Sequence, residues 1–393
     1  MTLNTKVLWI KVWGIAAVQS SITLTWVIYN LYFPLLLVEF GFTKELAVSI
    51  LIIENALESI AEPVFGQLSD RQQRLFGSKI PLISWGIILS SILFILFPCL
   101  VIFNLEQILT KWFMPILAIV WAGAMAVFRA PTMTLLGRCA NKDNLPRAAS
   151  ILTLVGGIVG AFRFDAYGLI VNLGADFAFC LGSFSLLISA LILRWLNPEY
   201  SPLPRQSKPV KIPLILLSLI CTTGIWISWS VRLIMPAVSE VLKFQFGTDN
   251  GKLAMTFYLI LLGIAALPAG KIAAKFNNNR TMLLGAMGTI IALILLALLP
   301  NNILPILLLI ICFSFVLNGI IPLILNLVPQ EKAGFGVGLY FGGFGAGMSS
   351  FGLIFTRFEI VNYQTNIVCA IAFLGLLCLW LALLKKQSTT IST

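Results

Sequence analysis

Apolar runs of about twenty residues recur from Leu8 to Leu384, separated by short connections that carry charges, prolines and clusters of glycine. At 1.5 Å per residue, a helix of that length matches the roughly 30 Å hydrocarbon core of a bilayer. The pattern predicts an all-α integral membrane protein with twelve spans, at 10–38, 46–68, 80–103, 112–137, 147–171, 176–196, 212–239, 253–274, 281–300, 303–327, 335–357 and 365–384. An even count puts both termini on one side. Gly14 and Pro34 inside the first run predict a bend rather than two crossings. Met1 to Lys11 lacks a small-residue cleavage site, so this run is expected to stay as the first span.

Composition sharpens the picture. Of 393 residues, 59% are hydrophobic and 10% charged, against roughly 25% charged in a soluble domain. A large water-facing catalytic domain is excluded, because the longest polar connection, Asn197 to Lys211, is too short to fold alone. The chain has no His, which removes histidine catalysis, His-rich metal sites and histidine proton relays and leaves carboxylates as the groups that exchange protons near neutrality. Seven Cys are scattered singly in or beside apolar runs, as at Cys221, Cys312 and Cys378, and read as small apolar packing residues rather than disulfides or metal ligands. With no phosphate-binding loop either, neither enzyme activity nor a cofactor is expected.

The 26 Lys and Arg divide unevenly across this map: counting residues at span edges with the nearer side, eighteen fall on the side of the termini, four on the other side, and four, Arg129, Arg163, Arg232 and Arg357, are assigned to the spans themselves. Basic loops are retained in the cytoplasm, so both termini are expected to face inward across a cell inner membrane or plasma membrane. This topology accounts for the net charge of +11. The basic loops are short, dispersed and free of interleaved aromatics, and no nucleic-acid partner is expected.

The connection after span 2 begins Gly66-Gln67-Leu68-Ser69-Asp70-Arg71, and the connection after span 8 begins Gly270-Lys271-Ile272-Ala273-Ala274-Lys275, an offset of 204 residues. The repeat predicts two six-helix halves, 1–196 and 212–393, joined by a cytoplasmic linker at 197–211. Gly66 permits close approach of helices, and Asp70 with Arg71 is placed to cap or charge-pair at a neighbouring helix end and so latch one conformation. The second copy is degraded, with Ala274 in place of the acid. Gly-x-Leu-Ser-Asp-Arg in this position resembles the signature loop of the major facilitator superfamily. A longer stretch, Glu58-Ser59-Ile60-Ala61-Glu62-Pro63-Val64-Phe65-Gly66 continuing to Phe76-Gly77-Ser78-Lys79-Ile80-Pro81, is similar to the glycoside, pentoside and hexuronide cation symporters, the group that contains melibiose permease and, more distantly, plant sucrose transporters. That resemblance implies a cation site at Glu58 and Glu62, which could take H+ or Na+, and a sugar or glycoside as solute. Ala61 lacks a side-chain oxygen where the family has Asn, which favours protons over sodium. The family's sugar-gripping acids on helices 1 and 4 have no counterpart: helix 1 offers Gln19, Ser20, Ser21, Thr23 and Thr25, and helix 4 has Arg129.

Apart from any family, Glu54, Glu58 and Glu62 recur every four residues, displaced by about 40° per step, and so form one acidic stripe on helix 2. Each ionised acid opposes insertion by roughly 2.5–3.5 kcal/mol. A proton, a sodium ion or an Arg from a neighbouring helix would offset that cost, and a choice among them that changes with conformation would couple ion and solute. The alternative is a static ion-pair network with Arg129 or Arg163. Of the Arg within spans, Arg129, Arg163 and Arg232 are candidate substrate ligands with Gln19 and Trp229, whose ring either stacks on a sugar or belongs to an aromatic belt. Arg357 reads as interfacial beside Glu359, and Asp165, two residues from Arg163, lies on a different helix face. The glycines from Gly334 to Gly347, and Gly156, Gly157 and Gly160, predict close helix approach.

The expectation is a monomeric, cation-coupled symporter of a sugar or glycoside that works by alternating access. The alternatives are a carrier or exporter of an organic anion or drug-like solute and, from another class, a non-transporting membrane sensor, against which stands the lack of a signalling domain.

Overall fold

The computed structural model describes residues 7–102, 112–163, 174–196, 212–358 and 362–391, which are helical apart from short turns. Twelve principal helices follow one another among them. They are α1 (Trp9–Glu39), α2 (Lys44–Phe76), α3 (Ile80–Ile102), α4 (Phe113–Thr134, with a one-turn continuation Leu136–Cys139), α5 (Leu145–Ala161), α6 (Ala175–Leu196), α7 (Leu214–Phe246), α8 (Thr248–Phe276), α9 (Asn278–Leu298), α10 (Leu304–Leu327), α11 (Ala333–Phe358) and α12 (Tyr363–Ile391). Ten of the twelve are long and apolar enough to cross a membrane. The other two are α5, of 17 residues, and α2, whose 33 residues include the acidic stripe.

Several helices outrun their predicted spans. α2 continues past 68 to Phe76, α7 past 239 to Phe246, and α8 begins at Thr248 rather than 253. Charged residues mark the membrane edge but do not stop a helix. What stops these is Gly77 and Gly247, with φ of +79° and +81°, a backbone region open to glycine. Gly77 N–H donates back to the Gln73 carbonyl at 2.9 Å, and Thr43 Oγ1 accepts from Leu46 N at the other end of α2. α1 remains one helix with Pro34 inside it. The linker 197–211 and the residues Asp165 and Glu359 lie outside the described residues, as does the side chain of Arg357.

Neighbours repeat with an offset of six. α1 packs on α5 and α6, α3 on α4 and α6, and α2 on α4. Correspondingly α7 packs on α11 and α12, α9 on α10 and α12, and α8 on α10. The two halves meet along two seams, α2 with α11 and α5 with α8, which the six-helix offset exchanges. Around the outside, large apolar side chains such as Trp85, Ile92, Leu191, Trp195, Leu284 and Leu379 are exposed. In a multi-pass membrane protein this is the surface that lipid covers.

Candidate functional site

The acidic stripe of α2 is turned inward. Glu54, Glu58 and Glu62 are 1%, 3% and 0% exposed, so all three are protein-enclosed rather than lipid-facing. Arg129 on α4 reaches between two of them: its Nε donates to Glu62 Oε1 at 2.6 Å and its Nη2 to Glu58 Oε2 at 2.9 Å. Two separate N–H groups of one planar fork are used, a geometry available to Arg and not to Lys. The guanidinium also lies over Phe341 of α11, 4.9 Å from the ring centre, so the other half contributes one wall. Glu58 Oε1 and Glu62 Oε2 have no hydrogen-bond partner among the described residues. With both acids ionised, the trio would carry one net negative charge in a low-dielectric place, where an added cation is strongly favoured.

Glu54 sits differently. Its Oε1 accepts a hydrogen bond from the hydroxyl of Tyr29 on α1, while its Oε2 has no partner among the described residues. Tyr29 stacks on Phe33 and lies 4.6 Å from Trp121, in a cluster that continues through Phe94, Phe97 and Phe179. Thus two members of the stripe share one arginine and the third is held inside the N-terminal half.

One turn beyond Gly66, Asp70 spans the seam between halves. Its Oδ1 accepts from Gly334 N and its Oδ2 from Phe335 N, both at 2.8 Å. These are free N–H groups of the first turn of α11, where a carboxylate is favoured by both hydrogen bonding and the helix dipole. The left-handed turn at Gly77 brings the chain back, and Lys79 Nζ lies 2.7 Å from Asp70 Oδ1 and 3.1 Å from Thr134 Oγ1. Arg71, the basic residue next to Asp70 in sequence, is exposed and makes no ion pair among the described residues. The α2–α11 seam is close because glycines line it; a Cβ on Gly66 would run into the carbonyl of Gly334.

The α5–α8 seam carries no acid at the equivalent place. A Cβ on Gly157 would come 2.8 Å from the Gly263 Cα, while Gly156 and Gly160 face Gln19 and Thr23 of α1. Near the terminal side, Asn318 of α10 donates to the Pro146 carbonyl at 3.1 Å and accepts from Thr153 Oγ1 at 3.4 Å. Toward the side bearing the termini, both seams hold helices of the two halves in direct contact.

The remaining candidates are dispersed. Gln19 Nε2 donates to Thr23 Oγ1 at 3.3 Å on the α5 face of α1. Trp229 donates its indole N–H to Ser350 at 3.2 Å, its ring among Phe351, Phe355 and Phe373. Arg232 lies 5.4 Å from the Phe351 ring centre, and Arg163 follows the last turn of α5; both are exposed. Sequence reasoning missed Tyr29, Phe341 and Asn318. It quoted Lys79 only within a motif, although a lysine nine residues after an acid, with glycine between, is a legible sign of a chain doubling back.

The sequence model described as Major Facilitator Superfamily matches residues 15–349 and 214–392. No curated protein matches the chain. Among solved structures, the outward-facing, iron-soaked bacterial homologue of the iron transporter ferroportin superposes with a TM-score of 0.72 at 13% identity, covering 96% of this chain and 98% of that one. The proton:xylose symporter XylE gives 0.71 at 11% identity, covering 98% and 96%. The human organic anion transporter MFSD10 gives 0.64 at 13% identity, covering 95% and 99%. At these identities the likeness is one of fold.

Proposed function

This chain belongs to the major facilitator superfamily, and on that premise we propose that it is a secondary active transporter in which Glu58, Glu62 and Arg129 couple a cation to the movement of a small polar solute. The superfamily fold carries solutes across a membrane by alternating access. The reading places the protein in a cell inner membrane or plasma membrane with both termini cytoplasmic, from the distribution of basic residues.

One observation supports the coupling most directly: a single guanidinium is divided between two buried carboxylates, beside the seam where α2 and α11 meet. A proton on either acid removes its charge and frees one N–H of Arg129, so protonation and the position of Arg129 are linked. Rocking of the halves changes the wall that Phe341 provides and with it the balance between arginine and proton. Protons are favoured over Na+, because a sodium ion needs several oxygen ligands and Ala61 adds none to the two unpartnered carboxylate oxygens. Glu54, held by Tyr29, is a further acid on the same stripe. The sugar or glycoside reading of the solute rests on the resemblance of residues 58–81.

The test is uptake into proteoliposomes under imposed proton or sodium gradients, with a panel of neutral and anionic solutes, for the wild type, Glu58→Gln and Glu62→Gln. Gradient-driven accumulation is expected to disappear in both variants while solute exchange without a gradient survives in at least one. Cation-driven accumulation at wild-type levels in both would remove the proposed role.

A further inference from the structure

Beside the contact of Asp70 with α11, at the terminal side, lies a cavity of about 670 Å³, a volume within the range of small-molecule sites. The N-terminal half walls it with Gln73, Lys79, Thr134 and Arg138, and the C-terminal half with Val328, Glu331 and Ala333. Contacts between the surrounding helices hold these walls in place. Lys79 donates to Thr134 at 3.1 Å, Asp70 accepts from Gly334, next to Ala333, at 2.8 Å, and Asn318 of α10 donates to the Pro146 carbonyl of α5 at 3.1 Å. The cavity shares no lining residue with the group of Glu58, Glu62 and Arg129. One of its walls carries an unmet demand. Gln73 is 4% exposed, and its Nε2 has no acceptor among the described residues. A buried N–H without an acceptor is costly, and nearly all such groups in folded proteins are satisfied by protein, water or ligand. The charges on the walls select the kind of acceptor. Arg138, Lys142 and Lys79 face Asp143 and Glu331 across the lining, and the most enclosed of the five, Lys79 at 2%, is a cation. An oxyanion meets both conditions, since it accepts from an amide N–H and is favoured beside guanidinium and ammonium groups.

We propose that a small water-soluble oxyanion, bearing a phosphate or carboxylate group, binds in this cavity with Gln73 and Arg138 as donors and holds the transporter shut on the terminal side. The site follows from the cavity itself; its effect on transport rests on the transporter reading above. Because both halves supply walls, alternating access takes those walls apart whenever the terminal side opens. A ligand that needs both walls binds the closed form and by linkage shifts the population toward it. Inhibition then needs no competition with the solute, because the cavity is separate from the coupling group.

The experiment titrates glucose 6-phosphate, citrate and glucose into the full chain in phosphatidylcholine nanodiscs, read by calorimetry, for the wild type, Gln73→Glu, Arg138→Gln, Lys142→Gln and Arg74→Gln. Gln73→Glu keeps the shape of the side chain and replaces its donor by an acceptor. Lys142 is an exposed lining residue, so its variant keeps the test open if a more enclosed substitution disturbs folding. Arg74 is an exposed cation of the same helix end that does not line the cavity. At least one of the two anions, which separate the phosphate and carboxylate cases, is expected to bind saturably at one per chain, and glucose is not. Affinity should fall at least tenfold in Gln73→Glu and Arg138→Gln, about threefold in Lys142→Gln and less than twofold in Arg74→Gln. In proteoliposomes the same anion on the terminal side should slow solute uptake by the wild type and leave uptake by Gln73→Glu unchanged. Absence of binding by both anions, equal affinity in the lining variants and Arg74→Gln, or equal binding of glucose overturns the proposal. So does displacement of the anion by phosphatidylglycerol added to the nanodiscs, which makes the occupant a lipid headgroup. If the anion binds as expected and no solute is carried under any gradient, the site stands and the transporter reading fails. If transport proceeds unaffected by a bound anion, the inhibitory role fails alone.

Discussion

Asp70 on α2 accepts the backbone N–H of Gly334 on α11 at 2.8 Å, and Lys79 lies 2.7 Å from the same oxygen. The acid thus ties the two halves together, and the lysine pairs with it where almost no water reaches; the two side chains are 4% and 2% exposed.

Asp70→Asn is expected to unseal the terminal side. Asn keeps one acceptor oxygen but loses the charge, and the buried Lys79 loses its ion pair with Asp70, a loss of about 3–5 kcal/mol for breaking one partner of a buried pair. Opening of this face relieves that cost by hydrating the lysine. Labelling of a cysteine introduced at Ala333, buried at the start of α11, should rise in Asp70→Asn. The double variant Asp70→Asn/Lys79→Met should label less than the single one, because the buried ammonium is gone. Equal labelling of wild type and Asp70→Asn would show that the acid does not hold the seam.

Arg129→Lys is expected to behave as a severe change. The native group uses Nε for Glu62 and Nη2 for Glu58, at 2.6 and 2.9 Å, and an ammonium on a shorter stem offers a point charge in place of a fork. Gradient-driven uptake should fall at least tenfold, with the protein still eluting as a single species in detergent. Wild-type uptake in Arg129→Lys would mean that charge alone, and not the shared fork, carries the coupling.

Gly66→Ala should trap the halves apart at the terminal side, since the added methyl meets the Gly334 carbonyl, which is backbone and cannot yield. Gly157→Ala should act likewise on the other seam, where the methyl faces the Gly263 Cα. Gly375→Ala on α12 has nothing within 4 Å of the new carbon and serves as the matched substitution. Transport should drop more than tenfold in the first two and less than twofold in the third; uniform effects would assign the losses to helix propensity instead.

Much of this architecture was legible in the chain because its causes are local. Apolar length decides which segments cross the membrane, and the spacing of Glu54, Glu58 and Glu62 alone places them on one stripe. The contact of Asp70 with a neighbouring helix end was readable as a glycine followed by an acid at the end of a span. Its cation was not: Arg71 adjoins Asp70 in sequence, whereas the pairing with Lys79 depends on the left-handed turn at Gly77. Helix ends were misjudged for a similar reason, charge being read as a stop where backbone conformation decides. The partners furthest from view were those set by rotation of one helix against another, such as Tyr29 with Glu54 and Phe341 with Arg129. No periodicity in one segment reports which residue of another it meets.

Tyr29→Phe is expected to lower stability more than the loss of one hydroxyl suggests. The Glu54 carboxyl is 1% exposed and its second oxygen has no partner among the described residues, so removing the Tyr29 hydroxyl leaves both oxygens without a hydrogen bond from them. Stranding a buried polar group costs about 1–3 kcal/mol, whereas removing both members of the pair is close to neutral if the shape is kept. Thermal unfolding in detergent should therefore give a clearly lower Tm for Tyr29→Phe and a partial recovery in Tyr29→Phe/Glu54→Leu. Transport separates the structural part of this contact from any part in coupling. If Glu54 only packs the N-terminal half, the stable double variant should retain gradient-driven uptake. If Glu54 carries a proton in the cycle, the recovered protein should bind solute and exchange it yet fail to accumulate it against a gradient.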